Sequence, residues 1–316
     1  MIRILINDGI DAGGKKQLED AGFDVVTTKV PQDQLKAELP AYDVILVRSA
    51  TTVRQDLIDA CPRLKVIGRG GVGLDNIDVE YAESKGIQVI NTPAASSQSV
   101  AELVFAHLFG LARGLHDSNR KMPVSGDTEF NTLKKSYAKG FQLRGRTMGI
   151  LGIGRIGQET ARIALGLGMN VLATDLFIKA AALEMEIPGA GTVSVAIPIV
   201  SMDEMLAKSD VISLHVPFSG GKAPIGAEEI YKMKDGVVII NAARGGAIDE
   251  DVLLEALDSG KVAFAGLDVF DNEPTPRRDL LEHPNVSLSP HIGASTGEAQ
   301  LNIGKELADK LIAIFK

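Results

Sequence analysis

Residues 152–157 read Gly152-Ile153-Gly154-Arg155-Ile156-Gly157. They follow an apolar run at 147–151 and open a helix-forming stretch at 158–167; a second apolar run then leads to Asp175, 18 residues past Gly157. In that context the glycines are the dinucleotide-binding fingerprint. Gly152 permits a tight turn, Gly154 lets the backbone approach a pyrophosphate, and Gly157 lets helix and sheet pack closely. The helix N-terminus offers unpaired N–H groups to the phosphates. Asp175 can accept hydrogen bonds from the adenosine ribose hydroxyls, and its charge would repel a 2′-phosphate. Leu176 and Phe177 supply no arginine to receive one, so NAD is expected over NADP, with Lys179 the one cation close by.

Proton transfer needs an imidazole or a carboxyl at a ligand-facing edge. Five histidines are available: His107, His116, His215, His283 and His291. His107 and His116 lie on or near one amphipathic helix and read as packing or surface residues. His283 falls in a Glu-His-Pro-Asn turn and reads as a loop residue. His215 closes an apolar run and can contact the cofactor through its neighbours Val216 and Pro217. His291 follows the run 286–288 and precedes Gly293-Ala294-Ser295-Thr296. Ligands of open α/β sheets bind beyond the carboxyl ends of strands, so His291 is the best-placed general acid/base. Two further strand ends point the same way. Arg244, in Asn241-Ala242-Ala243-Arg244-Gly245-Gly246, can hold a carboxylate bidentately. Glu273, in Asp271-Asn272-Glu273-Pro274, can stabilise protonated His291. Singly, Arg244 reads as a surface ion pair and Glu273 as a turn residue; their joint placement favours chemistry.

These side chains need strands to place them. Short β-branched runs at 2–7, 24–28, 43–48, 64–69 and 88–91 alternate with helix-like segments at 14–21 and 53–60, the pattern of a parallel sheet covered on both faces. A second series, 147–151, 170–174, 211–215, 237–241, 263–267 and 286–288, matches a doubly wound six-stranded sheet. Between them runs a long amphipathic helix, with Ser99 as its expected cap and Glu102 completing a capping box. Residues 117–146 are polar and read as an irregular solvated connection, or as a source of cations for a substrate phosphate. Residues 296–314 read as a closing helix with Ile303, Leu307, Leu311 and Ile312 on one face.

A chain of 316 residues suggests two domains at ~150 residues each. Hydrophobic residues at 45% and charged residues at 23% exclude a mainly disordered chain. The net charge of −8 argues against broad nucleic-acid binding and leaves capture of an anionic substrate to a few placed cations. The single cysteine, Cys61, fits a reducing compartment. No apolar run reaches the ~20 residues that span a bilayer, and residues 1–8 do not read as a signal peptide. The expectation is a soluble cytoplasmic protein with no membrane or nucleic-acid partner. No cluster of histidine, cysteine and carboxylate has metal-ligand spacing.

The sequence resembles the D-isomer-specific 2-hydroxyacid dehydrogenase family. The resemblance rests on Gly68-Arg69-Gly70-Gly71-Val72-Gly73-Leu74-Asp75-Asn76-Ile77-Asp78, the fingerprint at 152–157, and the stretches 241–250, 268–274 and 291–296. These occur in order along nearly the whole chain. Val47-Arg48-Ser49-Ala50-Thr51 and Ile225-Gly226-Ala227-Glu228-Glu229-Ile230 align it with the branch acting on 3-phosphoglycerate. The resemblance implies two doubly wound α/β domains: a Rossmann NAD-binding domain at 98–288, inserted into a flavodoxin-like substrate domain at 1–97 and 289–316. It implies Arg244, Glu273 and His291 as the catalytic set. It implies Arg155, Ile156, Asp175, Ala242, Ala243, Arg244, Asp268, His291, Gly293 and Ala294 as cofactor contacts, and a homodimer through the NAD domain. Arg48, with Ser49 beside it, and Arg69 are candidates for a distal phosphate, ordinary surface pairing being the alternative. The turn Gly70-Gly71-Val72-Gly73 can offer backbone N–H groups to the substrate carboxylate.

Three departures stand out. Residues 178–203 form a longer link than is usual in the family, Val72 replaces a hydroxyl residue, and no C-terminal regulatory segment follows Lys316, which argues against serine feedback through one. Competing readings are a glyoxylate or hydroxypyruvate reductase, a D-lactate dehydrogenase, or a non-enzymatic NAD-sensing corepressor.

Overall fold

The computed structural model describes residues 1–218 and 220–316. They form two compact units, one of Met1–Ser99 with Ala294–Lys316 and the other of Val100–Gly293. Each is an α/β unit built on a parallel sheet.

The first unit holds β1 (Arg3–Ile6), β2 (Asp24–Val26), β3 (Val44–Val47), β4 (Val66–Arg69) and β5 (Gln88–Asn91) in the order β2-β1-β3-β4-β5. All four pairings are parallel. This is the flavodoxin-like order, and the direction of winding reverses between β1 and β3. Leu5, Ile45, Val47 and Ile67 enter one layer of core. Ile4, Ile6, Leu46 and Val66 enter the other, against Ile303, Leu307 and Leu311 of the helix Gly297–Phe315. Each such fully buried side chain contributes about 1.5–3 kcal/mol. Thr296 caps that helix, its hydroxyl accepting from the Ala299 N–H at 3.1 Å.

The second unit holds β6 (Thr147–Leu151), β7 (Asn170–Thr174), β8 (Ala181–Ile187), β9 (Gly191–Ile197), β10 (Val211–Leu214), β11 (Val237–Asn241), β12 (Val262–Leu267) and β13 (Val286–Leu288). Six of them form a sheet in the order β13-β12-β11-β10-β6-β7. A parallel bridge from Ala173 to Ile199 extends it one position past β7. The winding reverses between β6 and β10, the point at which a doubly wound sheet opens its ligand crevice. Successive residues of β11 serve opposite cores: Val238 and Ile240 in one cluster, Val237 and Ile239 in the other. Coverage of both faces is what a parallel sheet requires.

Three local expectations are corrected. The long helix runs Ser97–Ala112, so Ser99 lies inside its first turn and is not the cap. The Ser99 hydroxyl instead meets that of Thr296 at 2.8 Å. The stretch 117–146 is not irregular: it carries the helices Leu115–Ser125 and Phe130–Ser136. Its polar composition hides them because they bury little. The long link is an antiparallel hairpin, β8 with β9, turning at Pro188-Gly189-Ala190. Leu183 and Ile197 anchor it in the core below β7. Among the described residues no helix is long and apolar enough to cross a membrane, and no group of three or more His, Cys, Asp or Glu could hold a metal ion.

Candidate active site

The second unit gathers most of the candidate residues along the carboxyl edge of its sheet. Directly after β6, Gly152 adopts φ +92°, a region costly for a residue with a Cβ. A Cβ there would also sit 3.0 Å from the His215 carbonyl and the Val216 side chain. The glycine turn and the residues following β10 therefore abut, at the switch point. A Cβ on Gly157 would collide with the Gly152 carbonyl oxygen, whereas one on Gly154 would meet nothing within 4 Å. Gly154 thus faces open space, and Gly157 does not. The helix Arg155–Gly166 starts from Gly154 with no side-chain cap, so its first N–H groups, those of Arg155 and Ile156 included, are available to an anion.

Asp175 closes this corner. Its carboxylate accepts from the Ile153 N–H at 3.0 Å, from Phe177 at 2.8 Å and from Ile178 at 3.0 Å. Burial raises its pKa, but the three backbone donors, with Lys179, outweigh it and hold the group below the usual carboxylate range. The oxygen facing Ile153 keeps one accepting lone pair for a ribose hydroxyl. Lys179 turns its Nζ to the Leu176 carbonyl at 2.7 Å. His215 contacts Ser213 Oγ through Nε2 at 2.9 Å, and burial pushes its pKa down to about 3. Its Nδ1 is buried without a partner among the described residues. These features fit a dinucleotide: an open Gly154 edge, an uncapped helix start and an ionised carboxylate 18 residues beyond Gly157.

At the end of β11, Asn241 shapes the turn carrying Arg244. Its amide Nδ2 donates to the Arg244 carbonyl at 2.9 Å, and its Oδ1 accepts from the Ala243 N–H at 3.1 Å. Arg244 Nη1 donates to the Ala243 carbonyl at 2.7 Å. Gly245 packs so tightly on Phe270 that a Cβ would overlap that residue's carbonyl oxygen. This joins the Arg244 turn to the loop bearing Glu273. Glu273 Oε1 accepts from the Phe270 N–H at 3.0 Å, and Oε2 meets His291 Nδ1 at 2.7 Å. A carboxylate only accepts, so Nδ1 carries the proton and Nε2 is left to exchange one with a ligand. Both side chains are exposed enough to be reached.

His291 adopts φ +54°, the sole positive-φ residue other than glycine among the described residues. Such a conformation costs ~1–3 kcal/mol and needs external restraint. Asp268 supplies it. Its carbonyl accepts from the His291 N–H at 2.8 Å. Its buried carboxylate accepts from the Ile292 and Gly293 N–H groups, each at 2.8 Å, and from Ser289 Oγ at 2.5 Å. Neither Asn241 nor Ser289 was singled out from the sequence. Their only signal is a polar residue at the end of an apolar strand. Ala294 begins the returning segment of the first unit, where its carbonyl accepts from Gln300 Nε2 at 2.8 Å.

Arg48, Ser49, Arg69 and residues 70–73 belong to the first unit. There the ends of β1, β2 and β3 surround an opening of about 360 Å³ lined by Asn7, Asp8, Thr27, Lys29, Arg48 and Ser49. It lies at that sheet's own switch point. Asp8 organises it, accepting from the Arg48 N–H at 2.7 Å, the Thr51 N–H at 3.0 Å and Thr51 Oγ1 at 2.7 Å. The Arg48 guanidinium makes no hydrogen bond or ion pair among the described residues. In the glycine turn, the Gly70 and Gly71 N–H groups are already engaged, with the Val47 and Arg69 carbonyls at 2.9 and 3.0 Å. This corrects the expectation for those two: among the described residues, only the Val72 and Gly73 amides stay open to a carboxylate. A larger opening of about 640 Å³, in the second unit, is lined by residues of 111–141 and 281–288, among them His116, Arg120, Lys121 and His283, and by none of the residues placed at the glycine turn, at Asp175 or around Arg244, Glu273 and His291.

The sequence profile described as "D-isomer specific 2-hydroxyacid dehydrogenase, NAD binding domain" matches residues 105–293. The chain is 43% identical to the hydroxypyruvate reductase of Thermotoga maritima over 98% of its own length and 97% of that protein. It is 40% identical to the D-3-phosphoglycerate dehydrogenase of Archaeoglobus fulgidus, covering all of this chain but 58% of that protein. Among solved structures, a glyoxylate reductase from Paecilomyes thermophila superposes with a TM-score of 0.82 at 32% identity, over 100% of this chain and 96% of that one.

Proposed function

From membership of the D-isomer specific 2-hydroxyacid dehydrogenase family, to which this chain belongs, we propose that it oxidises D-3-phosphoglycerate to 3-phosphohydroxypyruvate, the first step of serine biosynthesis. The chain is an oxidoreductase of that family, and its cofactor is NAD. The observation carrying the substrate is the opening at the end of β1 to β3. It presents Lys29, whose Nζ lies 3.9 Å from Asp8 Oδ1, and an Arg48 guanidinium with no such contact among the described residues, and two cations suit a phosphate. The identity to a D-3-phosphoglycerate dehydrogenase supports the same reading.

The first unit supplies the substrate-holding groups, Arg48, Ser49, Arg69 and the Val72 and Gly73 amides of the glycine turn. The second supplies the cofactor-holding and proton-transferring groups. NAD, held by the second unit, would supply the hydride acceptor for the carbon bearing the hydroxyl. His291 Nε2 accepts the hydroxyl proton as the carbonyl forms, and Glu273 stabilises the imidazolium through Nδ1. Arg244 holds the carboxylate and polarises the developing carbonyl. In the reverse direction protonated His291 is the acid. Acid–base help of this kind is worth ~10²–10⁴-fold. The pyrophosphate would lie along Gly154, Arg155 and Ile156, and the ribose against Asp175. Val216, Pro217, Ala242, Ala243, Asp268, Gly293 and Ala294 complete the proposed cofactor contacts.

A second reading, reduction of hydroxypyruvate or glyoxylate, is favoured by the end-to-end match to the Thermotoga maritima hydroxypyruvate reductase. One panel separates the readings: NAD with 3-phosphoglycerate, glycerate, glycolate or D-lactate, and NADH with the matching 2-oxo acids, followed at the NADH absorbance band. Turnover with 3-phosphoglycerate, and an Arg48→Ala variant whose KM for it rises ~10-fold or more while KM for glyoxylate stays put, supports the phosphate reading. Equal effects on both substrates sink it. No turnover with any acid would leave the NAD-sensing corepressor. We place the protein in the cytoplasm as a homodimer joined through the second unit. A buried, free Cys61, its thiol pushed up to about 11 by burial, suits a reducing compartment.

A further inference from the structure

Behind the His291 loop lies a buried polar chain that the proposed reaction does not use. His107, on the helix Ser97–Ala112, is 5% exposed, and its ring bridges two serines of β13 and its C-terminal end. Nδ1 meets Ser287 Oγ at 2.8 Å and Nε2 meets Ser289 Oγ at 2.9 Å. Ser289 Oγ in turn meets Asp268 Oδ1 at 2.5 Å. The proton order follows from the far end. A carboxylate accepts, so Ser289 donates its single hydroxyl proton to Asp268. The Ser289 oxygen must then accept from His107, which fixes the proton on Nε2. Nδ1 is therefore an acceptor, and Ser287 donates to it. Every group has one role and no proton is in dispute. Burial, partly offset by Asp268, keeps the ring in its neutral form. Asp268 then spends its remaining contacts on the Ile292 and Gly293 amides and, through its carbonyl, on His291 itself.

We propose that His107 is a positioning residue: its Nε2–H orients Ser289, Ser289 orients Asp268, and Asp268 holds the strained His291 backbone at the angle that keeps Nδ1 on Glu273. The inference rests on the reading of His291 as acid/base. The Cβ and Cγ of His107 would lie 2.9 and 3.2 Å from a Cβ on Gly266, so the ring is seated against β12. Sliding it away would disturb β12 and the end of β13 together.

The test compares His107→Leu, which keeps the volume and removes the donor, with His107→Gln, whose terminal amide can restore a donor to Ser289. The measured quantities are kcat and KM with NADH and hydroxypyruvate, glyoxylate or 3-phosphohydroxypyruvate, and amide hydrogen exchange at Ile292 and Gly293 without cofactor. His107→Leu is expected to lower kcat ~10-fold or more, since a small misplacement of an acid/base can cost that much. KM for NADH stays near wild type, the two amides exchange faster, and His107→Gln recovers most of kcat. A folded His107→Leu with wild-type kcat and exchange overturns the proposal, as does a glutamine variant no better than leucine. Where His107→Leu fails to fold, Ser287→Ala takes its place: it frees the ring from one partner, and an unchanged kcat there also overturns it. If the wild-type protein turns over none of these substrates, the reading of the site fails, and the exchange rates still decide whether His107 clamps the loop.

Discussion

His291 occupies a backbone conformation that asparagine tolerates far better than most residues with a β-carbon. His291→Asn therefore removes the imidazole without worsening the strain. It is expected to lower kcat ~10²–10⁴-fold with Tm close to wild type, and a folded variant retaining wild-type kcat would remove His291 from the reaction. His215 makes a different prediction. In the unfolded chain its imidazole takes up a proton near 6.5, but in the fold only near 3. The unfolded state thus binds more protons between those values, so its contribution to stability is complete above pH 6.5 and is lost as pH falls toward 3. A His215→Gln variant should show a shallower fall of Tm across that window than wild type in thermal melts. Arg244, Glu273 and His291 were legible because each lies a few residues beyond the end of an apolar run, and strand ends are where such sheets bind ligands. Asp268 was legible only by resemblance, and His107 not at all. Its role depends on two serines 180 and 182 residues away, a pairing no local pattern announces.

The fingerprint turn shows how one motif divides its labour between element and ligand. Gly154 has φ −67°, ordinary for any residue, and open space where a Cβ would go. Gly157 has a carbonyl oxygen in that space. Gly154→Ala should leave Tm unchanged or slightly raised, since alanine restricts the unfolded chain, yet weaken NAD binding in a calorimetric titration by blocking the pyrophosphate's approach. Gly157→Ala should lower Tm by forcing the helix Arg155–Gly166 off the sheet. Equal losses of stability in the two variants would contradict the assignment of Gly154 to the cofactor. The strands of both sheets were readable from their unbroken apolar runs, because burial on both faces leaves no polar alternation to confuse them. The helix start at Ser97 was misplaced because Ser99 and Glu102 imitate a capping box one turn too late. The β8–β9 hairpin stayed hidden because most of its side chains are exposed and only Leu183 and Ile197 reach the core.

At the scale of the whole molecule, five of the exposed apolar residues of the second unit lie close together in sequence, apart from others such as Phe177 and Tyr231. Phe109, Leu115, Met122, Val124 and Phe130 fall within one stretch of chain, on the helices Ser97–Ala112, Leu115–Ser125 and Phe130–Ser136. The helix Leu115–Ser125 has no buried residue at all. A helix with no fully buried residue gains little from its own propensity at eleven residues, and an exposed apolar stretch is a common mark of an interface. A second copy of the chain accounts for both observations and agrees with the homodimer proposed above. Light scattering behind a sizing column should therefore give twice the chain mass of 33.5 kDa at micromolar concentration. Replacing Val124 and Phe130 together by lysine should shift the protein to the single-chain mass while the circular dichroism of the sheets persists. A wild-type protein that elutes at the single-chain mass would show that this stretch is covered by something other than its own kind.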